Sequence, residues 1–201
     1  MRGEVRARTL YGGVVCAMLK LQGERIYLAA LEREHCRRLY EDEEYDFAHV
    51  AEPLYIGASL ESSEEWYSDI QKRNGEENIR LGIFLRPKTG LCDGAVIGDV
   101  ALQGLDWRNR KCSLGMGIAK LENRSKGYGK EAAALMLGYA FGNLGLERVS
   151  ASTLATNLPG QKSLEGVGFV LEGRARRSDW VAGEWVDKLN YAILREEFLR
   201  L

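Results

Sequence analysis

The most informative stretch of the 201-residue chain is Arg124-Ser-Lys-Gly-Tyr-Gly-Lys130. Its two glycines allow a tight turn and a close approach of the backbone to a ligand. A long helical pattern follows, and both the free N–H groups of a first helical turn and the positive end of the helix dipole attract anions. With Arg124, Lys126 and Lys130 adding positive charge, the stretch predicts a phosphate-binding loop; the alternative is a glycine-rich turn without a ligand.

Two common phosphate-binding patterns do not fit this stretch. The Walker pattern requires a glycine where Arg124 stands and a Ser or Thr where Glu131 stands. Residues 127 to 132 match the dinucleotide pattern G-x-G-x-x-A, but that pattern opens a βαβ unit and needs an acidic residue about 20 positions later. The segment around Ser152 reads Ser-Ala-Ser-Thr-Leu-Ala-Thr, and the preceding strands are predicted hairpins, so a nicotinamide site is excluded.

The segments before the loop alternate between helical and strand patterns. Ser62-x-x-Glu65 has the form of a capping box and predicts the start of a helix. The turns at 88–90 and 106–109 are short, which favours antiparallel hairpins. The predicted elements are a strand at 25–30, helices at 31–40 and 62–72, and strands at 79–85, 95–105 and 112–118.

The helix after the loop is apolar on two sides, which is typical of a buried helix. Gly145 followed by Leu146 predicts its left-handed end. The elements predicted from the loop onward are a helix at 127–144, a strand at 148–155, a short helix from Asn157 to Gly166, and strands from Phe169 and Trp185 around a turn at 181–183. This order predicts an α+β fold, with one mixed, mostly antiparallel sheet flanked by helices. We expect a single domain at residues 18–201 with a peripheral N-terminal extension at 1–17.

Composition excludes several classes of protein. The chain is 45% hydrophobic with a net charge of −1, which is typical of a globular protein without a broadly basic nucleic-acid surface. The apolar run at 14–19 is too short for a membrane span or a secretory signal, so we expect a cytoplasmic protein that binds neither nucleic acid nor membrane. The 4 cysteines are far apart and predict reduced thiols, and the 2 histidines lack metal-ligand spacing, so no metal site is expected.

Several motifs in order resemble the GCN5-related N-acetyltransferases, in the branch of the ribosomal-protein-alanine N-acetyltransferases. The loop of that family reads Gln/Arg-x-x-Gly-x-Gly/Ala, which residues 124–129 satisfy. The resemblance covers about residues 19–198. Its further motifs are Gly23-Glu-Arg-Ile-Tyr-Leu, Leu114-Gly115 with Ile118-Ala119, Glu131-Ala132, Asn157 with Gly168-Phe169, and Gly183-Glu-Trp-Val-Asp187 with Tyr191 and Leu194.

The resemblance implies a GNAT-type domain that uses acetyl-CoA as its co-substrate. The loop N–H groups would hold the pyrophosphate, and the pantetheine arm would pair like an added strand with the segment 117–119. Asn157 would contact the pantetheine arm, although it also suits a helix N-cap. The implied cofactor-binding residues are Gly117, Ile118, Ala119, Arg124, Ser125, Lys126, Gly127, Tyr128, Gly129, Lys130 and Asn157.

The usual acid and base residues of the family are absent from this sequence. Ser113 and Ser152 occupy the positions of the proton-accepting carboxylates, and Leu164 occupies that of the tyrosine that protonates the thiolate. A thiolate with a pKa of about 8.5 leaves readily, so an acid is not essential.

Three side chains are the remaining catalytic candidates. A water held by Asp99 or by Asp187 could act as the base, and Ser163 lies near the short helix that carries the acid in relatives. The resemblance therefore implies an N-acetyltransferase that acts by direct attack of a primary amine in a ternary complex. The alternative is a catalytically silent acyl-CoA-binding sensor or scaffold on the same fold.

The acceptor is only weakly encoded. The acidic segment 41–46, with Glu61, Glu64 and Glu65, is either a solvated face or a surface that attracts a cationic amine, such as a polyamine, an aminoglycoside or a basic protein N-terminus. A homodimer is compatible with the resemblance.

Overall fold

The computed structural model describes residues 20–44, 59–87 and 94–200. The predicted extension at 1–17 lies outside these residues. So do Cys16, Cys92, His49 and the predicted turn at 88–90.

The described strands form one sheet, in the order β1-β2-β3-β4-β5-β6-β8-β7. All neighbouring strands are antiparallel except the parallel pair β5 and β6. The predicted α+β fold with a mixed, mostly antiparallel sheet is confirmed. The strands are β1 Leu21–Gln22, β2 Ile26–Ala29, β3 Asn78–Leu85, β4 Val96–Asp106, β5 Lys111–Ile118, β6 Arg148–Leu154, β7 Val170–Val181 and β8 Glu184–Leu194.

Helices cover both faces of this sheet. The face against α3 holds the larger core, in which residues such as Leu102 and Leu114 pack against Met136 and Leu137. The other face, here called the α1–α2 face, packs Tyr27 and Phe84 against the first two helices. No helix in the described ranges is long and apolar enough to cross a membrane. The helices are α1 Arg33–Asp42, α2 Glu61–Arg73, α3 Tyr128–Gly142, α4 Leu158–Val167 and α5 Arg195–Phe198, with a 3-10 turn at Leu121–Asn123.

Two predicted helix boundaries are wrong. Helix α2 begins at Glu61, so Ser62 lies inside it and forms no capping box; Leu60 is the N-cap. Helix α4 continues past Gly166 to Val167, because the left-handed residue that ends it is Gly168, at φ 102°. The predicted left-handed residue beyond α3 is confirmed, with Gly145 at φ 65°.

The buried cysteines behave as small apolar residues. Burial raises the pKa of Cys36 to about 11 and that of Cys112 to about 12, so both remain neutral thiols at physiological pH. Among the described residues, no group of three or more His, Cys, Asp or Glu side chains could hold a metal ion.

The sheet opens between its two parallel strands. Only three residue pairs join β5 to β6, and the last of them is Ser113 with Ser150. Beyond that pair, β5 continues to Ile118 bonded to β4 alone, and β6 continues to Leu154 bonded to β8 alone. We call this opening the strand cleft; residues 114–118 and 151–154 form its two edges. Apart from the carbonyl oxygens of Ile118 and Leu154, which accept the Arg124 side chain and the Asn157 N–H, the cleft-facing backbone groups of these edges are available to an extended ligand.

Candidate active site

The loop at 125–130, here called the anion loop, presents a row of unused backbone donors at the end of the strand cleft. The first bonded N–H of the helix start is that of Glu131, which donates to the Gly127 carbonyl oxygen at 3.1 Å. The N–H groups of residues 125 to 130 have no acceptor among the described residues. Ser125 and Gly127 adopt left-handed conformations, with φ 57° and 83°, which turn successive N–H groups into one concave nest. This geometry suits a phosphate or diphosphate.

Arg25 holds the opposite side of the anion loop. Its guanidinium donates to the carbonyl oxygen of Lys126 at 2.8 Å and to that of Gly127 at 3.3 Å. It also lies 5.5 Å from the ring centre of Tyr128. In a trans peptide the carbonyl oxygen and the N–H of the next residue point in opposite directions. Because Arg25 binds the Lys126 and Gly127 carbonyl oxygens on its own side of the loop, the N–H groups of the two following residues face away from Arg25.

Glu131 in turn holds Arg25 in place, and the contacts of Arg25 with Glu131 and with the loop carbonyls are here called the clasp. Its carboxylate accepts the backbone N–H of Arg25 at 2.9 Å, that of Ile26 at 3.3 Å and the Arg25 guanidinium at 3.0 Å. Burial alone would raise the pKa of Glu131, but these hydrogen bonds and the nearby positive charge lower it overall. The clasp therefore stabilises the loop fully at pH values above the ordinary pKa of a glutamate. This stabilisation is lost as the pH falls through the lowered pKa of Glu131 and its carboxylate becomes protonated.

The Arg124 side chain lies on the protein rather than in the nest. Its guanidinium donates to the carbonyl oxygens of Ile118 at 2.9 Å, Ala119 at 3.0 Å and Glu44 at 2.7 Å. Its backbone N–H donates to the Leu121 carbonyl oxygen. Arg124 thus ties the loop to the end of β5 and to the segment after α1. The Lys126 and Lys130 residues are exposed and add positive charge beside the nest.

Gly129 faces the floor of the strand cleft. A Cβ built there would lie 3.6 Å from the sulfur of Met116 on β5 and 3.8 Å from the hydroxyl oxygen of Ser163 on α4. The Ser163 hydroxyl is buried and has no hydrogen-bond partner within the described ranges. Ser163, predicted as a catalytic candidate, thus lies beside the start of α3 with its hydroxyl available to a ligand.

Asn157 acts as the N-cap of α4, which is one of its two predicted roles. Its side-chain oxygen accepts the Gly160 N–H at 3.0 Å. A Cβ at Gly160 would stand 2.7 Å from the Asn157 side-chain nitrogen, which explains why a glycine fits at this position.

Asp99 lies on the α1–α2 face beside the strand cleft. It pairs in register with Gly117 of β5, and its carboxylate oxygen would be 3.9 Å from a Cβ at that glycine. The same carboxylate forms an ion pair with Arg80, whose guanidinium lies 5.7 Å from the ring centre of Trp66.

Asp187 lies on the opposite side of the sheet. Side chains two residues apart on a strand lie on the same face of the sheet, so Asp187 shares a face with the buried Leu189 and Tyr191 of the α3 core. Its carboxylate accepts the Arg177 N–H at 2.7 Å and the Arg174 guanidinium at 2.6 Å. These two bonds lower the pKa of Asp187, which weakens it as a proton acceptor.

Replacing the second carboxylate candidate should therefore have little effect. We expect Asp187→Asn to change kcat for acetyl transfer by less than about twofold, because the carboxylate faces away from the cleft and is held by arginine. Steady-state kinetics with acetyl-CoA and a peptide amine would measure this. A fall of more than about tenfold in kcat, with an unchanged melting temperature, would contradict this expectation and support a catalytic role for Asp187.

Positive partners hold most of the described carboxylates of the acidic segment. Glu41 pairs with Arg37 at 3.2 Å, and Asp42 pairs with Arg38 at 2.8 Å and with Lys120 at 3.2 Å. Further contacts are Glu43 with Arg124 at 3.8 Å, Glu44 with the Leu121 N–H at 2.6 Å, Glu64 with Arg33 and Glu61 with Ser59. These contacts favour the interpretation of the acidic segment as a solvated face over its interpretation as a surface that attracts cations.

Three residues of this region carry little signal in the sequence. Arg25 and Glu131 are 106 residues apart, and only the fold brings them together. Gln103 on β4 follows the apolar residues Val100, Ala101 and Leu102, and this polar residue after an apolar run is the signal that could have drawn attention to it.

A parallel strand pair that opens beside a helix start with unbonded N–H groups has the geometry of a protein that accommodates an extended, phosphate-bearing ligand between two strands. The sequence profile of the acetyltransferase (GNAT) domain matches residues 25–170 of this chain. The chain therefore belongs to the GNAT acetyltransferase family, and the family predicted from the loop and its flanking motifs is confirmed.

Relatives from Bacillus subtilis extend this result. The chain is 36% identical over 108 residues to the putative ribosomal N-acetyltransferase YdaF, a match that spans 54% of this chain but only 58% of that protein. It is 29% identical over 185 residues to the probable N-acetyltransferase YjcK, covering 88% of this chain and 98% of that protein. A third match, 35% identical over 144 residues, is to the uncharacterized N-acetyltransferase YnaD and covers 72% and 81% of the two chains.

Solved structures share the whole architecture. A probable acetyltransferase of known crystal structure superposes with a TM-score of 0.73 at 28% identity, covering 90% of this chain and 98% of that chain. The spermidine N-acetyltransferase of Vibrio cholerae, solved with CoA and spermine, gives a TM-score of 0.74 at 22% identity, covering 87% and 98%. RimJ of Mycobacterium smegmatis, solved with CoA-disulfide, gives 0.71 at 23% identity, covering 86% and 83%. The last two support the fold.

Proposed function

We propose that the chain transfers the acetyl group of acetyl-CoA to a primary amine by direct attack in a ternary complex. The row of unbonded N–H groups at 125–130, placed at the end of an open strand edge, carries this proposal. The anion loop would bind the diphosphate, and the free edge of β5 that ends in residues 117–119 would pair with the pantetheine arm. This pairing would not use the Ile118 and Ala119 carbonyl oxygens, which accept the Arg124 guanidinium, or the Ala119 N–H, which donates to the Ile97 carbonyl oxygen at 3.0 Å.

The other donor-site residues have supporting roles in this proposal. Lys126 and Lys130 would attract the phosphates, whereas Arg124 would hold the loop to the end of β5. The free hydroxyl of Ser163 would bind the donor beside Gly129, and this is the role we propose for it instead of acid catalysis. Asn157 would border the pantetheine arm while it caps α4.

Acetyl transfer forms one C–N bond and breaks one C–S bond, with the amine proton passing to water and the thiolate leaving. The chain would assist by excluding misaligned acceptors and by holding a water beside Asp99, the candidate carboxylate on the α1–α2 face of the cleft. No protein acid is required for the leaving group, because a thiolate whose conjugate acid has a pKa of about 8.5 leaves readily.

The pairing of the acidic segment bears on the acceptor. Glu41, Asp42 and Glu43 contact basic side chains, so they are poorly placed to bind the additional ammonium groups of a polyamine. An α-amino group, with a pKa near 8, is far more often neutral at pH 7 than a lysine or polyamine nitrogen with a pKa near 10.4. We therefore propose an α-amine, such as a peptide N-terminus, as the acceptor class; the name of YdaF agrees with this class.

Thiol release from acetyl-CoA tests the proposal directly. The amines would be Ala- and Ser-initiated pentapeptides, the same peptides N-acetylated as matched controls, spermidine, an aminoglycoside and free amino acids. We expect release with the free peptides, none with the blocked peptides, and lower kcat/KM with spermidine. CoA binding without thiol release for any amine would favour the silent acyl-CoA-binding alternative, and absence of CoA binding would remove the donor site.

A further inference from the structure

One carboxamide on the α1–α2 face lies beside the strand cleft with its polar atoms unused. Side chains alternate along β4, so Gln103 lies opposite in direction to the buried Leu102. Gln103 is half-buried, and its side-chain amide has no hydrogen-bond partner among the described residues. Two donor hydrogens and one acceptor oxygen are therefore available to a ligand.

The Gln103 amide leans diagonally toward the cleft. In the register of the sheet its partner on β5 is Ser113. Its side-chain oxygen, however, lies 3.2 Å and its nitrogen 3.7 Å from the place where a Cβ on Gly115 would stand. Neighbouring strands are about 4.8 Å apart, so an amide lying over β5 is within reach of a molecule bound at the free edge of that strand.

The two glycines of β5 leave the path between β4 and the cleft open. Gly115 and Gly117 both lie on the α1–α2 face, because they alternate with the buried Leu114. A Cβ at Gly115 would crowd the Gln103 oxygen, and a longer side chain at Gly117 would extend beside the Asp99 carboxylate. Without those side chains, the polar groups of β4 face the cleft edge directly.

We infer that Gln103 binds the acceptor amine and orients its lone pair toward the carbonyl carbon of a thioester held at the β5 edge. The side-chain oxygen accepts one N–H of the amine. The inference rests on the proposed function, since the thioester at that edge belongs to it. Gln103 moves no proton; the proton released on C–N bond formation passes to water.

A carboxamide suits this task better than a carboxylate would. A carboxylate at the same place would stabilise the ammonium form and raise the pKa of the amine, which removes the nucleophile at neutral pH. The neutral amide holds an uncharged amine without favouring its protonation. The neutrality of residue 103 thus fits a site that lacks the usual family carboxylates at Ser113 and Ser152.

Kinetics of Gln103→Leu test the inference with an Ala-initiated pentapeptide and with spermidine as amines. Loss of one hydrogen bond to a neutral group should lower kcat/KM for the amine about 3- to 10-fold. The Kd for CoA should stay within about twofold, since the amide contacts the acceptor and not the donor. Gln71→Leu, on the exposed surface of α2, is the matched control and should leave both constants unchanged.

Gln103→Glu supplies a readout that a structural role would not produce. It should raise the apparent pKa in the pH profile of kcat, which reports the ionisation of the bound amine, because the new carboxylate favours the ammonium form. An unchanged profile, or a kcat/KM for Gln103→Leu within twofold of wild type, would overturn the inference. A wild-type chain that binds no CoA, or transfers to no amine, would instead overturn the proposed function on which the inference rests.

Discussion

Gly129→Trp should abolish CoA binding while leaving the fold in place. The Cβ position of Gly129 faces Met116 and Ser163 at ordinary contact distances, so an alanine would fit there. An indole ring extends well beyond that contact and would fill the floor of the strand cleft next to the anion loop. We expect the Kd for CoA to rise by about 100-fold or more, which corresponds to about 2.8 kcal/mol of lost binding free energy.

The same helix offers a matched control. Gly138 lies on the exposed side of α3, and nothing stands within 4 Å of a Cβ built there. Gly138→Trp introduces the same side chain into the same helix without approaching the cleft, so its Kd for CoA should equal that of wild type.

Calorimetric titration with CoA and thermal unfolding of both variants separate occlusion from misfolding. Occlusion predicts a folded Gly129→Trp protein that binds no CoA. A folded variant that binds CoA as tightly as wild type would contradict the placement of the donor in the cleft. If Gly129→Trp fails to fold, Gly129→Val offers a smaller obstruction at the same place, and a folded Val variant with wild-type affinity would contradict it equally.

The sequence patterns predicted the elements well because their signals are local. Most residues of β4 from Val96 to Leu102 are apolar and buried, and Gly145, the glycine predicted to lie just beyond α3, adopts φ 65°. The error at α2 has a local cause too. The N-cap position is held by Leu60, which has no side-chain acceptor, and the Ser63 hydroxyl inside the helix donates to the Leu60 carbonyl oxygen instead of accepting a free N–H.

The sequence predicted the part of the site that depends on the backbone, but not the side chains that support it. Gly127 and Gly129 are readable because a close approach of the chain requires them, and the loop geometry agrees with that interpretation. The side chains that shape the loop are not readable. Arg25 acts on the loop from the start of β2, and the Arg124 guanidinium serves three carbonyls instead of a phosphate.

Arg25→Ala is the second change with a large expected effect. It removes the guanidinium bonds to the Lys126 and Gly127 carbonyls and to Glu131, while the backbone N–H groups that Glu131 accepts remain. The freed carbonyls can then rotate, and the N–H groups lose their common direction toward the diphosphate. We expect the Kd for CoA to rise about 30-fold, or about 2 kcal/mol.

A donor without a diphosphate distinguishes loop positioning from general damage. Turnover of S-acetyl-pantetheine should change little in Arg25→Ala, because that thioester pairs with β5 but does not reach the anion loop. Arg86→Ala is the matched control: the Arg86 guanidinium donates to the carbonyl oxygen of Gly23, two residues before Arg25, at 2.7 Å, and has no contact with the loop among the described residues. It should leave the Kd for CoA unchanged.

Arg25→Lys refines the argument because it keeps the charge and loses the geometry. A lysine ammonium is a compact point charge and cannot span two carbonyls and a carboxylate as a planar guanidinium does. If orientation of the peptide groups is what matters, the lysine variant should recover only a small part of the CoA affinity. Full recovery would show instead that positive charge beside the loop is sufficient, and equal losses with acetyl-CoA and S-acetyl-pantetheine would show that Arg25 supports the fold rather than the anion loop.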